Sequence, residues 1–175
     1  QLASIAPGWV NTLAGTSAFG ALAKRVAGIA PSRRLPRFAT STFQQRFAQR
    51  KPLDRDGAPR VTLWPDTFNN YFHPDTAMAA VDVLEVAGFA VEVPHAHFCC
   101  GRPLYDWGML KEAQRYLRRI LSRFARDIDA GRPFVVLEPA CATVFRDEMR
   151  NLFPGDEVAK RLANQTFLLG EFLQR

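Results

Sequence analysis

A chain of 175 residues with 47% apolar side chains and 14 Phe can build one globular domain of ordinary size. No stretch approaches the roughly 20 uninterrupted apolar residues of a bilayer-spanning helix, because the Gly-rich start is broken by Pro7, Lys24 and Arg25. The net charge of +6 is uneven: residues 1–53 hold eight Lys or Arg and no acid, while the remainder holds 15 basic against 17 acidic residues, which divides the chain into a basic arm and a nearly neutral domain.

In the arm, Phe19, Leu22, Val26 and Ile29 recur at helical spacing behind Thr16 and Ser17, which suit a helix start. A breaker segment over Pro31–Arg37 leads to a second helix from about Ser41, with Phe43 and Phe47 on one face. Lys51–Arg60, with Pro52, Gly57 and Pro59, forms another breaker. There is no internal repeat.

From Arg60 the pattern changes to strand–helix alternation. Val61–Trp64 reads as a buried strand, Pro74–Ala87 as a helix stopped by Gly88, and Phe89–Val93 as a second strand. A long helix is expected over Asp106–Asp129, with Leu110, Ala113, Leu117, Ile120, Leu121, Phe124 and Ile128 on its apolar face. Phe134–Leu137 is a continuous apolar run, as in a parallel strand covered on both sides. Shorter helices are expected at 142–151, 156–164 and 167–173. The reading is therefore an α/β fold with a small parallel three-stranded sheet and flanking helices over residues 60–175, preceded by a helical basic arm over 1–59. Three strands are few for an open sheet, so either the arm covers an edge or further chain continues it.

The three cysteines sit where strands end. Cys99 and Cys100 precede Gly101 after the second strand, and Cys141 follows the third. Parallel α/β sheets gather ligands at the carboxyl ends of their strands, so the trio reads as one site, and soft thiolates from separate loops suit iron–sulfur or zinc chemistry. Helix N-termini just downstream are expected to lower the thiol pKa values, and Gly101 permits close backbone approach. An odd count with a vicinal pair differs from the even framework of a secreted disulfide domain and fits a reducing cytoplasm. The first residues also lack the pattern of a secretory signal.

Cys-Cys-Gly-Arg-Pro-Leu-Tyr-Asp-Trp-Gly at 99–108 and Glu-Pro-Ala-Cys-Ala-Thr-Val-Phe-Arg-Asp-Glu at 138–148 resemble the cysteine-rich CCG domain. That domain occurs in heterodisulfide reductase B subunits, glycolate oxidase iron–sulfur subunits and lactate-utilisation proteins. The nearest resemblance is to the carboxyl-terminal region of FAD-linked oxidases of the D-lactate or glycolate dehydrogenase type, and it spans about Arg60–Arg175. It implies one half of a CCG domain that passes electrons from flavin to an acceptor through a 4Fe–4S cluster, with zinc as the alternative occupant. It also implies FAD in a separate domain of the parent protein, and as partners that FAD domain, a ferredoxin-like segment and a second CCG half. Carried over by position, Cys99, Cys100 and Cys141 match the ligands. Thr67 stands where the family often has a cysteine after the first strand, and Val144 where a Cys-x-x-Cys pair would close. Three thiolates leave the coordination open, so this piece is expected to hold metal poorly alone.

His97 is a candidate fourth ligand, ahead of His95, which lies farther from Cys99. Asp66, Asn69 and Asn70 suit either a ligand or a turn with a helix cap. Tyr105, Asp106 and Trp107 are candidates to shield the site from water. There is no catalytic triad, phosphate-binding glycine loop or dinucleotide fingerprint, so the fragment itself is expected to bind neither FAD nor NAD and to have no catalytic residue. No nucleic-acid-reading motif accompanies the basic arm. The expected location is the cytoplasm, with peripheral membrane association as a variant. The alternative function is a zinc-stabilised or metal-free docking domain.

Overall fold

The computed structural model describes residues 7–51 and 57–175. The arm contributes α1 (Pro7–Gly15), α2 (Ser17–Val26) and α3 (Phe43–Gln49). Thr16 stands at the N-cap of α2; the side chain of Phe19 and residues 52–56 of the 51–60 breaker lie outside the described residues. At α3 the Thr42 hydroxyl accepts the Gln45 N–H at 3.2 Å while the Gln45 side chain accepts the Thr42 N–H at 2.9 Å, a reciprocal capping box that fixes the helix start.

The sheet has four parallel strands, β1 (Arg60–Leu63), β2 (Ala90–Glu92), β3 (Phe134–Val136) and β4 (Thr166–Leu168), in the order β2-β1-β3-β4. Alternation of side chains puts Val61, Leu63 and Val135 on one face and Thr62, Trp64, Phe134 and Val136 on the other. The first face packs on Phe43 of α3, on Ala77, Ala80, Val81 and Leu84 of α5 (Pro74–Val86), and on Phe172 of α11 (Leu169–Leu173). Against the second lie the apolar side of α7 (Leu110–Asp129) and residues of α8 (Pro139–Thr143), α9 (Met149–Leu152) and α10 (Glu157–Gln165). The result is three layers around one thin sheet.

Two expectations need correction. The segment over 167–173 is a strand followed by a helix. Thr166 is buried with its hydroxyl on the Leu162 carbonyl, and Arg146 donates to the Thr166 carbonyl at 2.8 and 3.0 Å while pairing with Glu171, so the end of α10 is tied to the sheet edge as β4. The long helix also starts later than Asp106. A short α6 (Arg102–Asp106) stops at Gly108, whose φ of +71° reverses the chain before α7 begins.

Sequence composition separates the arm from the domain, yet Phe43 is fully buried in the α/β core. The Gln44 side chain reaches the Pro94 carbonyl beyond β2 at 2.5 Å. Phe43→Ala should therefore cost the whole domain about 3–5 kcal/mol, measured as a lowered urea midpoint in a single transition. A change below about 0.5 kcal/mol, the range of surface sites, would mean that α3 is a detached linker.

Candidate metal centre

Strand order reverses beside β1, where the chain crosses first to β2 and then to β3 on the opposite side. Ligand crevices of open parallel sheets form outside the carboxyl ends of strands at such a reversal. Three loops meet there. The loop after β1 opens α4 (Thr67–Tyr71), the loop after β2 carries Cys99 and Cys100, and the loop after β3 opens α8 with Cys141.

The cysteines are free thiols, with Cys100 and Cys141 buried and Cys99 half-buried. Cys100 hydrogen-bonds with Cys141 on one side and Cys99 on the other, and the Thr67 side chain hydrogen-bonds with Cys99. Cys99, Cys100 and Cys141, read from sequence as one site, are thus neighbours, with Thr67 beside Cys99.

Their electrostatics reverse the expectation of lowered thiol pKa values. Cys100 is pushed up to about 12, first by its hydrogen bond with Cys141 and then by burial, against the hydrogen bond from Cys99 and, more weakly, the Arg102 backbone. Cys99 is pushed up further, by its hydrogen bond with Cys100 and by burial, against weaker help from Gly101 and Thr67. The helix ends do favour the thiolates. Adjacent sulfurs in a dry site disfavour them more, because each anion would face its neighbours.

The supporting shell contains residues that sequence reasoning passes over. The Cys99 N–H donates to the Tyr116 hydroxyl at 2.7 Å. Gly101 has φ +88°, a left-handed conformation that favours glycine, while a Cβ there would make ordinary contact with the Tyr116 ring at 3.4 Å. Burial pushes the Tyr116 phenol up. Arg102 donates to the Thr143 hydroxyl at 3.0 Å and to the Glu148 carboxylate at 2.5 Å, and it pairs with Asp106. It clasps the loop of Cys99 and Cys100 to the Cys141 segment. Glu148 closes a π-helical turn, Val144–Glu148, and such turns often accompany functional sites. The sequence signal for Tyr116 is weak, a lone tyrosine beside Leu117 on the apolar side of α7.

The other candidates have the following surroundings. His97 is half-buried with its ring edge-on to Tyr71 at 5.1 Å. Its Nδ1 is buried without a hydrogen-bond partner among the described residues, and burial lowers its pKa. His95 is exposed. Asp66 caps α4 by accepting the Asn69 N–H at 2.9 Å, and Asn70 exchanges hydrogen bonds with Gln44 at 3.0 and 3.1 Å, so both serve the loop's structure. Trp107 is 84% exposed and Asp106 faces Arg102; the apolar screen comes instead from Trp64, Phe98 and Phe145. Val144 is buried in the same cluster.

Among the described residues, no group of three or more His, Cys, Asp or Glu side chains is spaced to hold a single metal ion. The donor chemistry nevertheless fits a thiophilic group. Cys100 links Cys99 to Cys141, and the Trp64 indole N–H is buried without a hydrogen-bond partner in the apolar cluster that includes Cys100 and Cys141. A bound cation would invert the local preference and favour thiolates.

The chain is 32% identical to lactate utilization protein A of Anoxybacillus flavithermus over 117 residues, covering 65% of this chain and 47% of that protein. It is 33% identical to lactate utilization protein A of Geobacillus kaustophilus over 118 residues, with coverage of 65% and 47%. It is 31% identical to that of Bacillus subtilis over 120 residues, with coverage of 65% and 48%. The chain spans about half the length of the curated relatives it matches. No protein-family model matches the chain, and no solved structure matches it significantly.

Raised thiol pKa values have a sign. The folded state holds its protons above pH 9, where unfolded cysteines ionise, so the stability they confer is full below pH 9 and is lost as pH rises toward about 12. Metal-free, reduced protein should therefore show a falling melting temperature across that window, and the fall should be shallower in Cys100→Ala. Identical slopes in both proteins would contradict the thiol cluster.

Proposed function

We propose that this chain is the cysteine-bearing electron-transfer module of an oxidoreductase that serves lactate utilisation. The observation that carries the reading is the contact of Cys99, Cys100 and Cys141 at the reversal of strand order. Similarity to lactate utilization protein A supports the metabolic setting. In this reading the three thiols hold an iron–sulfur cluster of the 4Fe–4S type, and the remaining position is filled by a group outside the trio. An FAD domain and a second cysteine-rich half of the parent protein stand on either side of the electron path.

When bound, such a cluster supplies one-electron transfer between donor and acceptor. The protein's part is to hold and insulate the sulfurs. Tyr116 fixes the backbone at Cys99, Arg102 joins the two cysteine loops, and Trp64, Phe98 and Phe145 exclude water from the inner side. The unpartnered Trp64 N–H lies in the same apolar cluster and would be available to donate to a sulfur acceptor, an interaction that tunes cluster potentials.

Anaerobically prepared full-length protein should contain iron and sulfide, absorb broadly in the visible and give an EPR signal in one oxidation state. Cys100→Ala and Cys141→Ala should each lose at least the roughly ten- to hundredfold of iron affinity that supporting residues usually cost, with unchanged circular dichroism. A colourless protein whose Cys100→Ala variant keeps full activity would overturn the proposal. Stoichiometric zinc without sulfide would transfer it to a zinc-stabilised docking domain.

A further inference from the structure

The outer face of α7 carries a row of cations that the cysteine site does not use. Lys111, Arg115, Arg118, Arg119 and Ser122 line one shallow surface cleft of about 610 Å³, and Arg126 follows at the same helical spacing. All six are exposed, on the side of the helix opposite the buried Leu117, Ile120 and Phe124. From Lys111 to Arg126 the row runs about 22 Å along the axis.

The acids of the helix leave this row largely uncompensated. Asp127 pairs with Arg132 and Asp129 with Arg161, while Glu112 reaches only Arg115, at 3.4 Å. Among the described residues Lys111, Arg118, Arg119 and Arg126 make no ion pair. The Arg118 guanidinium lies 5.0 Å from the centre of the Phe153 ring, a contact that holds it in place. The same helix also holds the cysteine loop, because Tyr116, next to Arg115, accepts the Cys99 N–H at 2.7 Å.

A row of this length exceeds any small anion, so its counterpart is a macromolecule with a negative face. Single-stranded nucleic acid stacks on aromatic side chains set between the cations, and the row has none. An anionic bilayer calls for apolar side chains beside the cations; the row has none of these either, and among the described residues no helix is long and apolar enough to cross a membrane. A second copy would set like charges against each other. An acidic protein surface matches the row in sign and extent, and small, charge-steered interfaces are the usual form of encounters between electron carriers.

We propose that the outer face of α7 is the docking surface for an acidic electron-carrier protein, on the helix that positions Cys99. The proposal rests on the electron-transfer reading of the cysteine site. In the step it serves, one electron leaves the reduced group at the cysteines and enters the oxidised carrier, with no bond made or broken.

The test is association of full-length protein with an acidic plant-type ferredoxin, followed by surface plasmon resonance at low and high salt. Binding should weaken steeply as salt rises. The double variant Arg115→Glu, Arg119→Glu should associate about tenfold or more slowly, the range over which steering acts, with unchanged circular dichroism. Arg34→Glu, Arg37→Glu changes the net charge equally on the arm and should associate like wild type. Equal slowing by both double variants, association indifferent to salt, or tighter binding of duplex DNA or phosphatidylglycerol vesicles through Arg115 and Arg119 would each overturn the proposal. Iron content of the same samples separates it from the reading beneath it. Iron-free wild type would sink that reading, whereas iron-loaded protein that ignores ferredoxin would sink the docking surface alone.

Discussion

The reversal of strand order beside β1 is the constraint on which the rest depends. A chain that paired β1, β2 and β3 in sequence order would send its cysteine loops progressively along one side of the sheet. With β1 between β2 and β3, the loops after all three strands converge, and Thr67, Cys99, Cys100 and Cys141 come into reach with little help from the loops themselves. The sheet is thin and its strands are short, so its rigidity comes from the helical layers on both sides and from Arg146 fastening the β4 edge.

Gathering thiols in a dry crevice has an electrostatic cost that the fold partly offsets. Backbone donors at Gly101 and Arg102 favour the thiolates, and the Arg102 guanidinium clasps both loops at the protein surface. Adjacent sulfurs outweigh those contributions. The cluster of thiols therefore behaves as a proton-holding site until a positive centre compensates it, which makes ligand binding and proton release two sides of one equilibrium.

Much of this is legible in the residues. β1, β2 and β3 announce themselves because β-branched and aromatic runs end at Pro65, Pro94 and Pro139, and the cysteines follow from strand ends. β4 is illegible because three residues, Thr166–Leu168, continue an apolar pattern compatible with a helix, and only Arg146 and the sheet edge decide otherwise. The late start of α7 depends on Gly108 taking a left-handed turn that the helical spacing of Leu110 and Ala113 conceals. Tyr116 and Glu148 escape notice for a common reason: their importance lies in contacts across the chain, with Cys99 and Arg102, and neither residue type at its position carries a local signal. Trp107 misleads in the opposite way, since proximity in sequence to the cysteines suggests shielding while its backbone turn aims it outward.

Gln44 joins parts of the molecule that composition would separate. Its backbone and side chain bind Asn70 of α4, and its amide reaches Pro94 at the start of the segment leading to Cys99. Three hydrogen bonds at one residue therefore form a mechanical coupling between the amino-terminal segment and the sulfur pocket. Traction on that segment would be transmitted to the loop carrying Thr67 and to the approach of Cys99 before the sheet itself yielded.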